Sequence, residues 1–558
     1  MTPGRPSARW RLVPVVPRSP TEPGSTQGGD GRMDAVTVPE PFQELVAHAR
    51  ETRVVVVGGG IAGLVAAWEC AKVGMTVTVV EASPRLGGMI GTAETSGLRL
   101  DVGATCWSTR GGAVRRLVDE VLPDAVVVRP RDDSAWIAGL PKGGAAPLPH
   151  DTLLGIPANP WDEGVRRIIG WGGTWRAYLD RLRPPLTIGS ERSLGRLVAG
   201  RMGDKVRDRM VAPLSVDRFG LDPDDVDVEI AAPALNPALT RTGSLGGAVA
   251  ELVTDAPGSS IEGLDGGMPQ LVAALHASLA ERGAVVHTGL AATGLVRDGE
   301  GWTIVLAAGA QVEGSEAAPR QAQGPETARG PETARGPETA QGPGPVGSVP
   351  TRLSADAVIV ATDEAAARAL VGPALDDRAF ADASAAGIAR EVVTLVVDAP
   401  ALDAAPRGAH VHAVPGSGRA TGLVHETARW EWLARDAGAG RHVVRVSFGA
   451  PGVEPATAGL ADTDAFVLAA GEASTLLGVP VERIVAAHRD RSTLVPPVSA
   501  RGQRERASEA RAVVAKAPGI AVVGAWVAGS GLAQVVADAH AEADRLRRGA
   551  LWGGDSPA

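Results

Sequence analysis

Four consecutive valines lead into Gly58, and the pattern that follows predicts a strand, a glycine turn, a helix and a second strand. The turn also contains Gly60 and Gly63, and the second strand, residues 77–80, ends at Glu81. The three glycines suit a tight turn, a close backbone approach to a pyrophosphate, and close packing of helix on sheet. Glu81 stands where a carboxylate can accept hydrogen bonds from ribose hydroxyls. The pattern therefore predicts a dinucleotide site.

The residues after Glu81 indicate which dinucleotide binds. A second glycine pair, Gly87 and Gly88, follows Arg85, and this stretch resembles the Glu-Ala-x-x-Arg-x-Gly-Gly segment of the flavin amine oxidase superfamily. Residues 101–105, Asp-Val-Gly-Ala-Thr, resemble the next segment of that superfamily, which passes close to the flavin ring. The resemblance implies FAD. Met89 stands where the superfamily often has Arg or Lys.

A second strand, turn and helix pattern lies near the end of the chain. Residues 519–523 predict a short buried strand, residues 524–532 a glycine-rich turn, and residues 533–547 an Ala-rich helix. A helix N-terminus suits the flavin edge where negative charge develops on reduction, and the stretch resembles the C-terminal FAD segment of the superfamily. No cysteine lies near it, so we expect FAD to be bound non-covalently.

The cofactor-binding residues expected from these segments also include Leu290, near a strand whose backbone contacts the adenine in the superfamily, and Ala361, in a strand and turn that covers FAD. The full predicted set is Gly58, Gly59, Gly60, Ile61, Ala62, Gly63, Glu81, Ala82, Arg85, Gly87, Gly88, Met89, Gly103, Ala104, Thr105, Leu290, Ala361, Ala525, Ser530, Gly531 and Leu532.

The order of these segments predicts an α/β fold with a discontinuous, Rossmann-like FAD-binding domain, a mixed α/β substrate domain and a helical insertion. The FAD-binding domain is assigned to residues 51–106, 262–375 and 515–558. The helical, substrate-facing insertion is assigned to 107–261, and the substrate-binding domain to 376–514.

Two stretches lack the apolar residues that a core requires. Residues 1–50 are rich in Arg, Pro, Ser and Gly in their first part and are expected to be disordered, with Met33 a candidate start. Residues 307–350 contain a repeated Gly-Pro-Glu-Thr-Ala-Arg unit, and we expect a disordered insert between two strands. Loop-closure entropy grows only logarithmically with length, so such an insert costs little.

Composition limits the classes of partner. The 558 residues carry a net charge of -9 without a basic stripe, which argues against a nucleic-acid partner. Cys70 and Cys106 are the only cysteines, and Cys70 falls in the first predicted helix, so a reducing, cytoplasmic location is expected. No apolar run approaches the ~18 residues of a membrane span. The sequence is compatible with a peripheral membrane contact.

Further motifs resemble the porphyrinogen oxidases, particularly the Gram-positive, coproporphyrin-forming type. They are residues 147–157 with their Gly-Ile-Pro, residues 193–214, Gly243–Leu245, and Arg429-Trp430. The order and spacing of these stretches carry the resemblance. Residues 488–491, His-Arg-Asp-Arg, replace the family's Arg-Trp before the last segment.

The resemblance implies oxygen-dependent oxidation of coproporphyrinogen III to coproporphyrin III in haem biosynthesis, with hydrogen peroxide as by-product. The substrate's own pyrrole nitrogens assist hydride loss, so no catalytic base and no metal is expected. Arginines are candidates for the propionates: Arg110, Arg115, Arg241 and Arg429. Oxygen is the second substrate, and the next enzyme of the haem pathway is a candidate partner.

Other functions stay open at this point. Protoporphyrinogen IX is the alternative substrate. An amine or amino-acid oxidase would need an aromatic cage, yet the chain has one Tyr, Tyr178. Carotenoid desaturation and an inactive flavoprotein scaffold are the remaining alternatives.

Overall fold

The computed structural model describes residues 40–183, 191–254, 261–299, 301–307, 351–377, 380, 387–494 and 496–552. Residues 1–39 and the repeat insert at 308–350 lie outside the described residues. The expected disorder of residues 1–50 is wrong for their last part, because helix α1 spans Glu40–Glu51. Phe42, Leu45, Val46 and Ala49 recur at helical spacing, and Ala49 is only 2% exposed in a hydrophobic cluster.

A parallel sheet forms the core of the part assigned to FAD binding and confirms the α/β class. Its strand order is β12-β2-β1-β16-β22. The strands are β1 (Arg53–Val57), β2 (Thr76–Val80), β12 (Val285–His287), β16 (Ala357–Val360) and β22 (Ile520–Val522). They come from all three segments assigned to this domain. Because parallel strands end at one edge, the turns after β1, β2, β16 and β22 meet there.

Helices cover both faces of this sheet. One layer consists of α2 (Ile61–Lys72), α3 (Ala113–Val121), α11 (Pro269–Glu281) and α18 (Leu532–Trp552). Buried Leu64, Leu271 and Val536 hold it on the strands. The other layer contains α12 (Glu364–Leu375), α16 (Gln503–Lys516) and a small antiparallel sheet, β13 (Ala292–Asp298), β14 (Gly301–Leu306) and β15 (Arg352–Ala355).

A seven-stranded sheet forms the second large element, in the order β21-β17-β20-β19-β18-β7-β8. The strands are β7 (Ala135–Leu140), β8 (Gly144–Pro147), β17 (Ile388–Asp398), β18 (His410–Ala413), β19 (Gly422–His425), β20 (Arg441–Phe448) and β21 (Ile484–Leu494). Alternate residues point to opposite faces. One face packs Val393, Val446 and Leu423 with helix α15 (Asp462–Leu477). The opposite face carries polar side chains, among them one row across the strands: His410, Arg445, Thr394 and His488.

The stretch 107–261 also contains strands, which corrects the expected helical insertion. Strands β7 and β8 belong to the seven-stranded sheet, and their short alternation gave no clear strand signal. The helices are α4 (Glu163–Tyr178), α5 (Leu194–Met202), α6 (Asp204–Val206), α7 (Ala212–Phe219), α8 (Val228–Ala231), α9 (Leu235–Thr242) and α10 (Leu245–Thr254), around a separate apolar cluster.

Short elements complete the described chain. They are the hairpin β3 (Ile90–Thr95) and β4 (Leu98–Gly103); strands β5 (Trp107–Ser108), β6 (Val127–Val128) and β11 (Ile261–Leu264); ribbon β9 (Thr152–Leu153) and β10 (Ile156–Pro157); and helices α13 (Glu426–Arg429), α14 (Glu431–Ala437) and α17 (Ala525–Ala528). Within the described residues, no helix combines the length and the apolar character needed to cross a bilayer.

Candidate functional site

The glycine turn after β1 has three glycines with different surroundings. Gly58 has a φ of +110°, and a Cβ there would lie 2.4 Å from the carbonyl oxygen of Ala361. A Cβ on Gly63 would lie 1.9 Å from the Gly58 carbonyl oxygen. A Cβ on Gly60 would meet nothing closer than the Cα of Gly88, at 3.9 Å. Gly58 and Gly63 are therefore required by the fold itself, whereas Gly60 borders open space.

Glu81 ties this turn to the end of β2. Its Oε2 accepts a hydrogen bond from the Gly59 N–H at 2.6 Å, and its Oε1 accepts one from the Ser83 N–H at 2.8 Å. Its backbone N–H donates to the His287 carbonyl, and its carbonyl accepts from the N–H of buried Leu290. The carboxylate is held rigidly beside the glycine turn, and its oxygens keep lone pairs for further donors.

The second glycine pair lies directly against the first turn. The Gly87 N–H donates to the Gly59 carbonyl at 2.8 Å, and both Gly87 and Gly88 have positive φ. The Arg85 guanidinium donates to the Gly88 carbonyl at 3.1 Å. Met89 is half-exposed, and its carbonyl accepts from the Ala104 N–H at 2.9 Å. Residues 81–89 and 103–105 are thus adjacent, as the fold of a single cofactor site requires.

The C-terminal turn reaches the same edge of the sheet. Strand β22 pairs in parallel with β16 in the register Val360 with Val522, which sets the turn after Val522 beside Ala361. Gly524 and Gly529 have φ values of +128° and +114°, conformations that side chains disfavour. Ser530 and Gly531 are exposed just before α18 begins at Leu532. The long helix therefore presents its N-terminus at the edge where the other turns meet.

A cavity of about 500 Å³ lies between the second glycine pair, the start of α12 and the end of β21 at the edge of the seven-stranded sheet. Its lining residues include Gly88, Met89, Gly103, Asp363, Asp490 and Ser492. Two residues of the stretch 488–491 thus border this cavity. Arg489 is turned away from the cavity, because its Nε donates to Glu391 at 2.8 Å and its side chain is 3% exposed. Asp490 and Arg491 line the cavity instead.

Two charged side chains, Arg445 on β20 and Arg429 on α13, contact the segment 103–106. Arg445 on β20 donates to the Gly103 carbonyl at 3.1 Å and to Glu426 at 3.3 Å. Arg429 lies 3.4 Å from both Thr105 Oγ1 and Cys106 Sγ, and its Nε is 3.6 Å from an oxygen of Asp133. Arg429 is 5% exposed, and its Nε has no hydrogen-bond partner in the described part of the chain. A buried cation with few strong partners lies beside a predicted flavin-contacting segment.

Asp101 sits behind the same segment. Burial and the nearby Glu426 charge raise the pKa of Asp101 to about 7, although the Met268 N–H, 3.0 Å from Oδ1, and Arg445 act in the opposite direction. This carboxyl joins hairpin β3–β4 to the start of α11. Its raised pKa makes the site sensitive to pH near neutrality.

The four arginines predicted for the substrate have different surroundings. Arg429 is beside residues 105–106, whereas Arg110 is exposed after β5. Arg241, on α9, is 57% exposed and paired with Glu251 on α10. Arg115, likewise surface-exposed, pairs with Asp119 at 2.9 Å.

Residues that sequence reasoning missed lie on the polar face of the seven-stranded sheet. Besides Arg445, a buried trio joins the sheet to helix α7. Asp217 accepts from Arg390 at 2.9 Å and lies 2.7 Å from His412 Nδ1. Burial opposes the charge of Asp217, but His412 and Arg390 hold its pKa below the ordinary value. In the sequence, these residues were indicated only by alternating polar positions on β18 and β20. Knowledge of which strands pair was needed to place those positions on one face of the sheet.

The chain matches two family models. Residues 61–318 match "Flavin containing amine oxidoreductase", and residues 15–96 match "Pyridine nucleotide-disulphide oxidoreductase". The first match covers somewhat less than half of the chain, and it supports a flavin cofactor. The open space at Gly60 fits a diphosphate there, because a Cβ on Gly60 would meet nothing closer than 3.9 Å. Gly88 lies against Gly60, since its Cβ would be 3.2 Å from the Gly60 Cα.

Two curated relatives and one solved structure are similar to this chain. Coproporphyrinogen III oxidase from Propionibacterium freudenreichii is 27% identical over 36% of this chain and 39% of its own. Mitochondrial protoporphyrinogen oxidase from Nicotiana tabacum is 26% identical over 36% of this chain and 38% of its own. The matched segments thus span about two fifths of these relatives. A provisionally assigned protoporphyrinogen oxidase from Exiguobacterium shares the fold with a TM-score of 0.69, at 19% identity over 89% of this chain and 98% of its own.

Proposed function

We propose that this protein is an FAD-dependent, oxygen-dependent oxidase that converts coproporphyrinogen III to coproporphyrin III in haem biosynthesis. The observation that carries the proposal is the cavity between the second glycine pair and strand β21, since its lining combines predicted cofactor-binding residues with residues of the assigned substrate domain. The matched relatives support the choice of substrate. Hydrogen peroxide is the expected by-product, and the cytoplasm is the proposed location.

FAD would be held without a covalent bond. The diphosphate would lie against Gly60 and Gly88, and the adenosine ribose against Glu81. Residues 103–105 and the turn before α18 would border the flavin, and the N-terminus of α18 would favour the negative charge of its reduced form. Cys106 is the nearest cysteine in sequence to these segments, and its Sγ already contacts the Arg429 guanidinium at 3.4 Å.

The bound flavin would supply the acceptor for a hydride taken from a methylene bridge of the substrate. The side chains then have the tasks of holding the macrocycle in position and excluding water. The buried trio of Asp217, His412 and Arg390 suits a rigid support for the sheet face. No group of three or more His, Cys, Asp or Glu residues suited to a metal occurs in the described chain.

Arg429 is the best-placed of the predicted cations for a substrate carboxylate. Its guanidinium lies beside Thr105, and its burial strengthens any charge-assisted hydrogen bond that it makes. Coproporphyrinogen carries four propionates, so further cations are needed. Arg491 lines the cavity and is 60% exposed, which leaves it accessible from solvent.

Protoporphyrinogen IX is the second candidate substrate, favoured by the match to the tobacco enzyme. The two are separated by comparing initial rates of porphyrin formation, by fluorescence, with oxygen uptake and peroxide measured in parallel. We expect faster oxidation of coproporphyrinogen III, with a preference that shrinks as salt rises because screening weakens exposed charge pairs. Faster oxidation of protoporphyrinogen would favour the second candidate. Rapid oxidation of an amine with no porphyrin formed would overturn the assignment.

The cofactor is tested separately. Acid precipitation should release all the flavin into solution, and the released flavin should co-migrate with FAD. Colour that stays with the pellet would contradict non-covalent binding. A colourless protein that FAD cannot reconstitute would contradict the cofactor itself.

A further inference from the structure

Two carboxyl groups lie beside the segment that is predicted to contact the flavin. Asp101 is on β4, two residues before Gly103, and Glu426 is the first residue of α13. Glu426 is 3% exposed, and its Oε1 accepts a hydrogen bond from Arg445 at 3.3 Å. Its Oε2 is buried and has no hydrogen-bond partner among the described residues. A buried carboxylate oxygen without a partner is costly, so this atom calls for a water molecule or a proton.

Both carboxyl groups line one small cavity, whose walls also include Thr105 and Arg445. Its volume of about 10 Å³ is close to what one water molecule needs. Asp101 Oδ1 accepts a hydrogen bond from the Met268 N–H at 3.0 Å, which leaves Oδ2 as the oxygen that can carry a proton. The cavity therefore brings two acids, a hydroxyl group and a cation around space for one water molecule.

The two acids are coupled electrostatically. Burial and then the Glu426 charge raise the pKa of Asp101 to about 7, although the Met268 N–H and Arg445 act in the opposite direction. Arg445 on β20 bonds to Glu426, and Arg429 within α13 interacts with the same carboxylate. A carboxyl group that is buried beside another carboxylate releases its proton less readily. As a pair, Asp101 and Glu426 thus exchange one proton near neutral pH.

The proposed reaction needs a place for one proton. Oxidation of a methylene bridge removes a hydride from carbon and releases a proton from a pyrrole nitrogen. Oxygen later takes up the two electrons and the proton of that hydride together with one further proton, which gives hydrogen peroxide and balances the reaction. The proton from the pyrrole nitrogen leaves before oxygen reacts, so a group that holds it in the interval would assist both steps.

We propose that Asp101 and Glu426 form a proton store, which takes up the proton that the substrate releases and returns it to oxygen through the cavity water and the Thr105 hydroxyl. The proton would lie on Asp101 Oδ2 or Glu426 Oε2. A hydroxyl group both donates and accepts, and Thr105 belongs to the segment expected beside the flavin. The inference rests on the proposed function for the origin of the proton, whereas the pair itself is tested without any porphyrinogen.

Infrared titration of the FAD-free protein tests the pair. The C=O stretch of a protonated carboxyl group should disappear from the parent as pH rises through about 7. Asp101→Asn should remove this band. Glu426→Gln should shift its loss to lower pH, because removal of a neighbouring negative charge favours ionisation of Asp101.

Reoxidation of the dithionite-reduced holoenzyme by oxygen tests the role of the pair. In the parent, the rate constant should fall as pH rises through about 7, because the pair then loses its proton. Asp101→Asn should lower the rate constant below pH 7 by about tenfold or more and remove this pH dependence, because an amide supplies no proton. Stopped-flow absorbance of the flavin and a peroxide assay measure both.

Glu391→Gln is the matched control. Glu391 is 6% exposed and accepts a hydrogen bond from Arg489 at 2.8 Å, so it is also a buried carboxylate paired with an arginine. It is not among the described residues that line the small cavity. This variant should keep the parent's infrared titration and the parent's pH profile of reoxidation.

Several results would contradict the proposal. A parent without a carboxyl band that titrates near neutral pH, or a band that persists in Asp101→Asn, would rule out the pair. Reoxidation of Asp101→Asn with the parent's rate and pH profile would rule out its role. If Asp101→Asn does not fold, an unshifted titration in Glu426→Gln would still rule out the coupling. A holoenzyme that forms no porphyrin would remove the proposed function and leave the infrared result unchanged.

Discussion

The glycine turns of the parallel sheet and the charged side chains around residues 103–106 are two regions built in different ways. The turns depend on backbone shape: a Cβ on Gly58 or Gly63 would lie 2.4 Å or 1.9 Å from a backbone oxygen. The second region depends on side-chain charge, and Arg445 on β20 and Arg429 on α13 reach residues 103–106 from distant parts of the chain. A substitution in the first region should change the fold or the cofactor site, and one in the second should change the chemistry.

The largest expected effect separates two glycines of the same turn. Gly63→Val should destabilise the protein by about 4 kcal/mol or more and abolish FAD binding, since its Cβ would lie 1.9 Å from a backbone oxygen. Gly60→Val should abolish FAD binding while the melting temperature of the FAD-free protein stays near the parent's. Thermal unfolding and flavin absorbance measure both. Retention of FAD by Gly60→Val would show that the open space at Gly60 is not the diphosphate site.

In the second region, Arg429→Gln should lower kcat/KM for coproporphyrinogen about tenfold to hundredfold, the value of a charge-assisted hydrogen bond. Its stability cost should be only about 1–2 kcal/mol, because the partner Asp133 is 35% exposed and solvated. Arg241→Gln, at an exposed ion pair, is the control and should change kcat/KM less than about twofold. Equal losses in both variants would place the carboxylate site elsewhere.

The pKa of Asp101 predicts a pH dependence. Because folding raises this pKa from 3.8 to about 7, the folded protein holds the proton more tightly. The resulting stabilisation is complete below about pH 4 and is lost as pH rises through about 7. Asp101→Asn should therefore remove, in that range, a slope of up to about 1.4 kcal/mol per pH unit in the free energy of unfolding. Urea unfolding at several pH values measures it.

The control for this experiment is Asp119→Asn, at an exposed carboxylate on α3. It should leave the slope of stability against pH unchanged. An unchanged slope in Asp101→Asn would mean that Asp101 is ionised throughout the range.

The smallest effect is expected outside both regions. Deletion of residues 319–349 removes part of the repeat insert, which lies outside the described residues and contains no apolar pattern. Melting temperature and turnover should both stay near the parent's. A large loss of either would show that the insert binds to the body of the protein.

Much of the cofactor side could be predicted because its signals are local. A position whose Cβ would meet a backbone oxygen must be glycine, so it is visible in the sequence. Strand, turn and helix also follow one another within a few residues there. Helix α1 was missed because Pro39 and Pro41 outweighed a short apolar periodicity. Strands β7 and β8 were missed because short strands alternate too briefly to be distinguished from turns.

By itself the sequence determined the α/β class, the glycine turns and the place of Glu81, since each depends on residues close together along the chain. Only the tertiary structure decided that Arg429 approaches residues 105–106, whereas Arg241 pairs with Glu251. It also decided that Asp217 joins Arg390 to His412. Those contacts join residues up to 324 positions apart. Their geometry depends on strand order and on register, because a shift of one residue turns a side chain to the other face of the sheet.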